Sequence, residues 1–352
     1  MADSNRSILG AAIAVGLALY AIAADRRQQQ AGTVERAGNG RYGRYAEEPQ
    51  QMTAVGWWDI LKRVAADISR DNVSLMAAGV AFYGLLSLAP GFTALVALYG
   101  LVFDPSQVQV QVATLEGLIP EEARKLIADQ LIGIVQNSSS TLGIGFVTSL
   151  AIALWSANSG TSALIMALNV AYGEREKRSL LRYYGGTLLL TAGAVLFGIV
   201  SLVLVAIIPA VVGLLPLGEF GRILVDWIRW PVLVLLFATA LSVVYRYAPS
   251  RNEPRWSWVS PGAVAATVLW IVGSALFSLY VREFATYNKT YGSLGAVVVL
   301  LMWFWLSAYS VILGAELNAE MEHQTARDTT DAPKKPLGQR GAYVADTVAP
   351  HG

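Results

Sequence analysis

Residues 183–213 read YYGGTLLLTAGAVLFGIVSLVLVAIIPAVVG, a run without a single Asp, Glu, Lys or Arg. About 20 mostly apolar residues are enough to cross a bilayer's hydrocarbon core, so this stretch marks the chain as a membrane protein. Five more share its character: 74–103, 141–171, 229–248, 259–281 and 293–315. Their few charges, such as Arg229 and Arg246, sit at their ends. A weaker seventh stretch is 8–24, ILGAAIAVGLALYAIAA. The whole chain agrees, with 55% hydrophobic and 14% charged residues among 352 and a mean hydropathy of +0.47. Soluble domains average about 25% charged residues. The expected class is therefore all-α, a polytopic membrane bundle of six core transmembrane helices plus a seventh at the N-terminus.

Basic residues set the orientation. The segment 25–73 carries eight, the loop 172–182 four, the loop 246–258 three and the tail four, nineteen in all. The alternate set (Arg124, Lys125, Arg222, Arg229, Arg282 and Lys289) holds six. Positive charge accumulates on the cytoplasmic side, which puts the nineteen inside and the N-terminus outside. Ala21-Ile22-Ala23 resembles a signal-peptide cleavage site. Asp3 and Arg6 leave that region without net positive charge, however, and cleavage would export 25–73, so 1–24 is expected to stay as an uncleaved anchor.

Between the spans, 25–56 is Gln-, Gly- and Arg-rich with no apolar period and is expected to be a flexible cytoplasmic linker. Trp57/Trp58, Leu61, Val64/Ala65 and Ile68 then recur at helical spacing, opposite Lys62, Arg63, Asp67 and Arg70. That amphipathic helix suits the membrane surface or the ends of the bundle. Residues 104–140 form an outer segment whose helix starts at Pro120-Glu121-Glu122. The membrane domain spans 57–322, and 323–352 is polar, without period, and expected to be a disordered cytoplasmic tail.

Two spans carry polar interruptions. As a continuous helix 74–103 would run about 45 Å, and Ser87-Leu88-Ala89-Pro90-Gly91 lies near its middle. Pro90 removes a backbone donor and clashes with the preceding turn. The middle of 141–171 reads Trp155-Ser156-Ala157-Asn158-Ser159-Gly160-Thr161-Ser162. Irregular or polar backbone at membrane depth lines a wet cavity or is buried in protein, and broken helices mark transporter sites. Ser87, Pro90, Asn158, Ser159 and Thr161 are therefore candidate pathway or hinge residues; a kink and ordinary helix–helix contacts are the alternatives. Glu316 and Arg246 end two spans on one side and form a candidate cytoplasmic ion pair.

Chemistry beyond transport finds little support. With no Cys and only His323 and His351, both near the C-terminal end, thiolate metal sites, disulfides and His-based catalysis have no residues to use. No G-x-x-x-x-G-K-[ST] loop is present for ATP, so no cofactor, no metal and no enzyme activity is expected. The bases of loops 172–182 and 246–258 are accounted for by topology, so no nucleic-acid partner is implied. The expected partners are the lipid bilayer and a lipid substrate.

Five motifs carry a resemblance. They are Ala77–Pro90 (AAGVAFYGLLSLAP), Trp155–Tyr172 (WSANSGTSALIMALNVAY), Ser260–Val281 (SPGAVAATVLWIVGSALFSLYV), Thr290–Ala296 (TYGSLGA) and Gly314–Glu320 (GAELNAE). Together they resemble the YihY/BrkB family of bacterial inner-membrane proteins, over about residues 57–322. The resemblance implies a six-helix inner-membrane protein whose core ends are cytoplasmic. Members of that family have been called virulence factors and have carried a ribonuclease label regarded as mistaken. Roles proposed for them are transport of a lipid or another envelope component. A membrane scaffold of the cell envelope is the competing class.

Overall fold

The computed structural model describes residues 40–102, 144–208, 219–284, 293–331 and 333–350. The N-terminal anchor 1–24, residues 25–39 of the linker and the outer segment 104–140 lie outside the described residues. An amphipathic helix, α1 (Ala54–Arg70), leads into six long ones. These are α2 (Val73–Val102), α3 (Ile144–Ala171), α4 (Leu180–Leu202), α5 (Glu219–Tyr247), α6 (Trp256–Phe284) and α7 (Ser293–Gln324). They fall on the six expected stretches. α4 continues into a π-helical turn at Val203–Ile207, and a one-turn helix, α8 (Tyr343–Asp346), closes the chain.

Among the described residues, four helices are long and apolar enough to cross a membrane: Leu180–Val205, Ile223–Tyr247, Trp256–Arg282 and Val297–Gln324. Their windows bury few side chains, and Leu188, Leu189, Leu196, Leu235, Val268 and Leu276 are exposed. That pattern suits lipid, where apolar side chains gain nothing by leaving the surface.

The chain runs up and down, so the start of α2, the end of α3, the start of α4, the end of α5, the start of α6 and the end of α7 meet at one end. The backbone N–H of Ser250 donates to Asn169 Oδ1 at 2.7 Å, and Tyr245 donates from its hydroxyl to the Val311 carbonyl at 2.7 Å. The buried core sits at this end, with Val73, Ile165, Leu168, Tyr172, Tyr245, Val259, Ala263 and Ile312 enclosed. α2 packs against α3, α6 against α7, and α7 also crosses α2 and α3.

The two interrupted spans are helical throughout. α2 runs without a break through Pro90, and α3 through 155–162. Polar groups in these runs bond their own helix or the next one, as Ser87 Oγ does to the Tyr83 carbonyl at 2.7 Å, and α2 continues although Pro90 has no N–H to give.

Two further expectations are overturned. Residues 40–53 of the linker are folded and bury Arg44, Ala46 and Met52. The tail is folded as well, over 323–331 and 333–350, with Thr325, Thr329, Val344 and Ala345 enclosed. The two segments tie to each other: Ala326 N–H donates to the Arg44 carbonyl at 2.9 Å, and Thr325 Oγ1 to the Ala46 carbonyl at 2.7 Å. Arg340 donates to the carbonyls of Ala326, Arg327, Lys335 and Ala345. A polar composition reads as solvated chain only when its polar groups are left to water; here they bond one another.

α1 also departs from its expected face. Thr53 caps it, its Oγ1 accepting from Gly56 N–H at 3.0 Å. Ile60 is buried, but so are Asp59 and Asp67, while Trp58 and Leu61 stand exposed. The buried acids are paired within their own helix, Asp59 with Lys62 at 3.0 Å and Asp67 with Arg70 at 2.8 Å, and α1 packs against α7 on the end of the bundle.

Candidate functional site

Polar groups from three helices meet midway along the bundle. Ser87 of α2 lies 3.1 Å from the Ser156 carbonyl of α3. Asn158 is buried and donates through Nδ2 to Ser162 Oγ at 3.5 Å. Thr191 of α4 supplies the third wall. Its Oγ1 lies 2.8 Å from Thr161 Oγ1, 2.8 Å from the Thr187 carbonyl and 3.3 Å from Asn158 Oδ1. A hydroxyl has one proton to give, so these acceptors compete for it. Among the described residues, no charged one joins the seam.

Of the five pathway residues, Ser87, Asn158 and Thr161 enter this network. Ser159 is half-buried and makes none of these bonds. Pro90 lies within helical backbone. Thr187 and Thr191 escaped the sequence reading, although two Thr residues four apart in an otherwise apolar helix were the available signal. Close backbone contact holds the seam together: a Cβ on Gly160 would stand 3.5 Å from Gly84 Cα and 3.3 Å from Ser87 Oγ.

The family motifs thus meet in pairs. Ala77–Pro90 touches Trp155–Tyr172 at Gly84 and Gly160, and Ser260–Val281 touches Gly314–Glu320. There, Pro261 leaves the first turns of α6 without one donor, and Asn318 of α7 stands in for the ladder. Its Oδ1 accepts from Gly262 N–H at 2.8 Å and its Nδ2 donates to the Val259 carbonyl at 3.0 Å. A Cβ on Gly314 would lie 2.6 Å from the Gly262 carbonyl oxygen and 2.7 Å from Ala266 Cβ, so the two helices meet backbone to backbone.

The expected Arg246–Glu316 pair does not form. Arg246 pairs with Asp331 at 2.6 Å and Glu253 at 3.1 Å, its guanidinium over the Trp256 ring. Asp331 belongs to the segment expected to be disordered, so sequence reasoning had no acid to offer from there. Glu316 is 1% exposed, and its Oε1 has no hydrogen-bond partner. Its charged neighbours are Asp71, Asp67, Glu320 and Arg70.

Around it lies a buried ionic layer. Arg63 is bound to Glu320 and donates to Gln324 Oε1 at 2.6 Å. Arg251 and Glu322 form an ion pair at 2.7 Å with both side chains fully enclosed, and the Arg251 guanidinium sits over the Tyr172 ring. Burial and the Glu320 carboxylate push Asp67 up to about 6, against the pull of Arg70 at 2.8 Å. Hydrogen bonds from Arg178 hold Glu176 down at about 2.

Fold and site define a multi-pass helical membrane protein with an uncharged polar seam and an ionic cap. The model for the family described as Virulence factor BrkB matches residues 64–338, and the chain belongs to that family. Its match extends past residue 322 into the folded tail. The chain is 34% identical over 249 residues to the ribonuclease-like protein YfkH of Bacillus subtilis, covering 69% of this chain and 88% of that protein. It is 28% identical over 271 residues to a UPF0761 membrane protein of Idiomarina loihiensis, covering 74% and 90%. A UPF0761 membrane protein of Rhodospirillum centenum is 28% identical over 305 residues, covering 84% of this chain and 64% of that protein. No solved structure matches the chain.

Proposed function

We propose that the protein moves a lipid or another envelope component across the bacterial inner membrane, along the seam between α2, α3 and α4. The seam carries this reading: five polar side chains of three helices, midway along apolar spans, with no charge among the described residues there to fix an ion. Such groups are expensive in hydrocarbon, and a mobile polar substrate gives them a use. In the closed arrangement they bond one another. Opening would exchange those bonds for water or for a substrate's polar head.

The capped end gathers bases from each of the basic segments, and the positive-inside rule supports a cytoplasmic side for it. The reading is non-enzymatic: Glu320 and Glu322 of the cap are committed to Arg63 and Arg251. The folded cap favours a second reading, a scaffold that presents this surface to envelope proteins.

The test uses the absence of native cysteine. Thr161→Cys with Thr191→Cys places two thiols across the seam where the hydroxyl oxygens stand 2.8 Å apart, within disulfide reach. In proteoliposomes with a dithionite-quenchable fluorescent phosphatidylglycerol, transport along the seam predicts protein-dependent lipid movement that oxidation blocks and a reductant restores. Movement that ignores the cross-link, or none from the unmodified protein, counts against the seam and leaves the scaffold.

A further inference from the structure

α1 is folded inside out with respect to water. Its only acids, Asp59 and Asp67, are buried, each held by a base of the same helix. Its outward face carries Trp58, Leu61 and Ala65, which follow one another down one side of the helix. Trp58 is 64% exposed and Leu61 50%. Water alone selects the opposite arrangement, with the acids outside and the large apolar side chains within.

Depth and continuity identify what covers this face. On the inward side, Ile60 shares a buried cluster with Trp258, in the first turn of α6, and Met321, in the last turn of α7. The middle of α1 is therefore level with the ends of two spans, in the headgroup zone that favours tryptophan. After Arg70 the chain turns through Asp71 and Asn72, the latter at φ +51, directly into α2. There Leu75 is 73% exposed, and Phe82 and Leu86 carry the same apolar side onward. The outward face of α1 thus runs into the flank of a membrane-length apolar helix.

We propose that α1 is an interfacial helix, bedding Trp58, Leu61 and Ala65 in the boundary between headgroups and acyl chains of the leaflet at the capped end. A helix of this kind sinks its apolar side about 5–10 Å into that boundary. The exposed ends of Lys62 and Arg70 reach past the apolar face to water, their stems lying along it. The inward face meanwhile holds the cap, so α1 fastens the cap to the bilayer. This docking is independent of whether the seam transports.

Because the chain has no native cysteine, a bimane label can be placed on Leu61→Cys in the full chain. Leu235→Cys, exposed midway along α5, serves as the deep lipid control, and the exposed Lys335→Cys as the aqueous one. The labelled proteins are set singly in nanodiscs of phosphatidylcholine and phosphatidylglycerol, which leave both faces open to solvent. Some discs carry a nitroxide lipid, with the spin label either just below the carbonyl or near the chain end. The Leu61 label should emit to the blue of the Lys335 label and resist iodide. The shallow nitroxide, matching the depth of the face, should remove about half of its intensity. The deep nitroxide should quench the Leu235 label more than the Leu61 label. A Leu61 label as open to iodide as the Lys335 label, and untouched by either nitroxide, overturns the proposal. Shielding from iodide without quenching by nitroxide lipid also overturns it, because protein rather than bilayer then covers the face.

Discussion

Asp67 and Glu176 are both acids of the cap, and their surroundings push them apart. Asp67 lies between α1 and α7, out of water and beside Glu320, and rises to about 6. Glu176 is bonded by Arg178 and falls to about 2. A folded-state value above the unfolded one means that the stability from Asp67 is complete below about pH 4 and is lost as pH rises through about 6. Asp67→Asn should therefore raise the thermal midpoint at pH 8, by the equivalent of about 1 kcal/mol after allowing for solvent screening, and change little at pH 4. Glu176→Gln should do the opposite, costing stability at pH 7 and nothing near pH 2. Arg251 and Glu322 carry more. Glu322→Gln strands a buried guanidinium and should cost about 3–5 kcal/mol, whereas Arg251→Met with Glu322→Leu should recover most of it. Unfolding midpoints of the two variants decide this.

At the level of elements, glycine sets how close helices come. Gly314→Ala would drive a methyl to 2.6 Å from the Gly262 carbonyl and 2.7 Å from Ala266 Cβ, so α6 and α7 must part. The expected result is a loss of several degrees in melting temperature, larger than for Gly160→Ala, whose Cβ has 3.3 Å to its nearest neighbour. Gly173 ends α3 at φ +63, and a Cβ there would meet the Tyr343 ring of α8; substitution strains the turn and lifts the tail together. The helices themselves were legible because apolar runs of this length have one stable form in a membrane. The pairing of motifs was hidden, since adjacency across helices leaves no mark on spacing within one. Polar composition misled at 40–53 and 323–350 for a related reason: Arg340 and Arg44 satisfy carbonyls far along the chain, and composition does not record where a donor goes. The Arg246–Glu316 expectation failed with them, as Asp331 became available only once the tail was folded.

Across the whole molecule, the cap at one end and the seam between the helices divide the labour. The cap gathers residues 40–70, the loops after α3 and α5, and the tail into one polar, hydrogen-bonded layer, and it depends on all of them. Ending the chain at Gln324 removes Asp331 from Arg246 and Thr329 from Glu322, and should leave a protein that inserts but unfolds at lower temperature and is cut readily by protease at the capped end. The seam is different: its polar groups are satisfied in the closed state, so its role shows only if it opens. Single cysteines at Ser87, Asn158, Ser159 and Thr161, with Lys335→Cys as exposed control and Ala266→Cys as buried control, can be challenged in sealed vesicles of both orientations with a small membrane-impermeant thiol reagent. Transport along the seam predicts labelling of Asn158→Cys and Thr161→Cys from at least one side, slower than at Lys335→Cys and well above Ala266→Cys. Protection of all four seam positions in both orientations, with Lys335→Cys labelled, would contradict it and leave a dry bundle whose function lies in its cap.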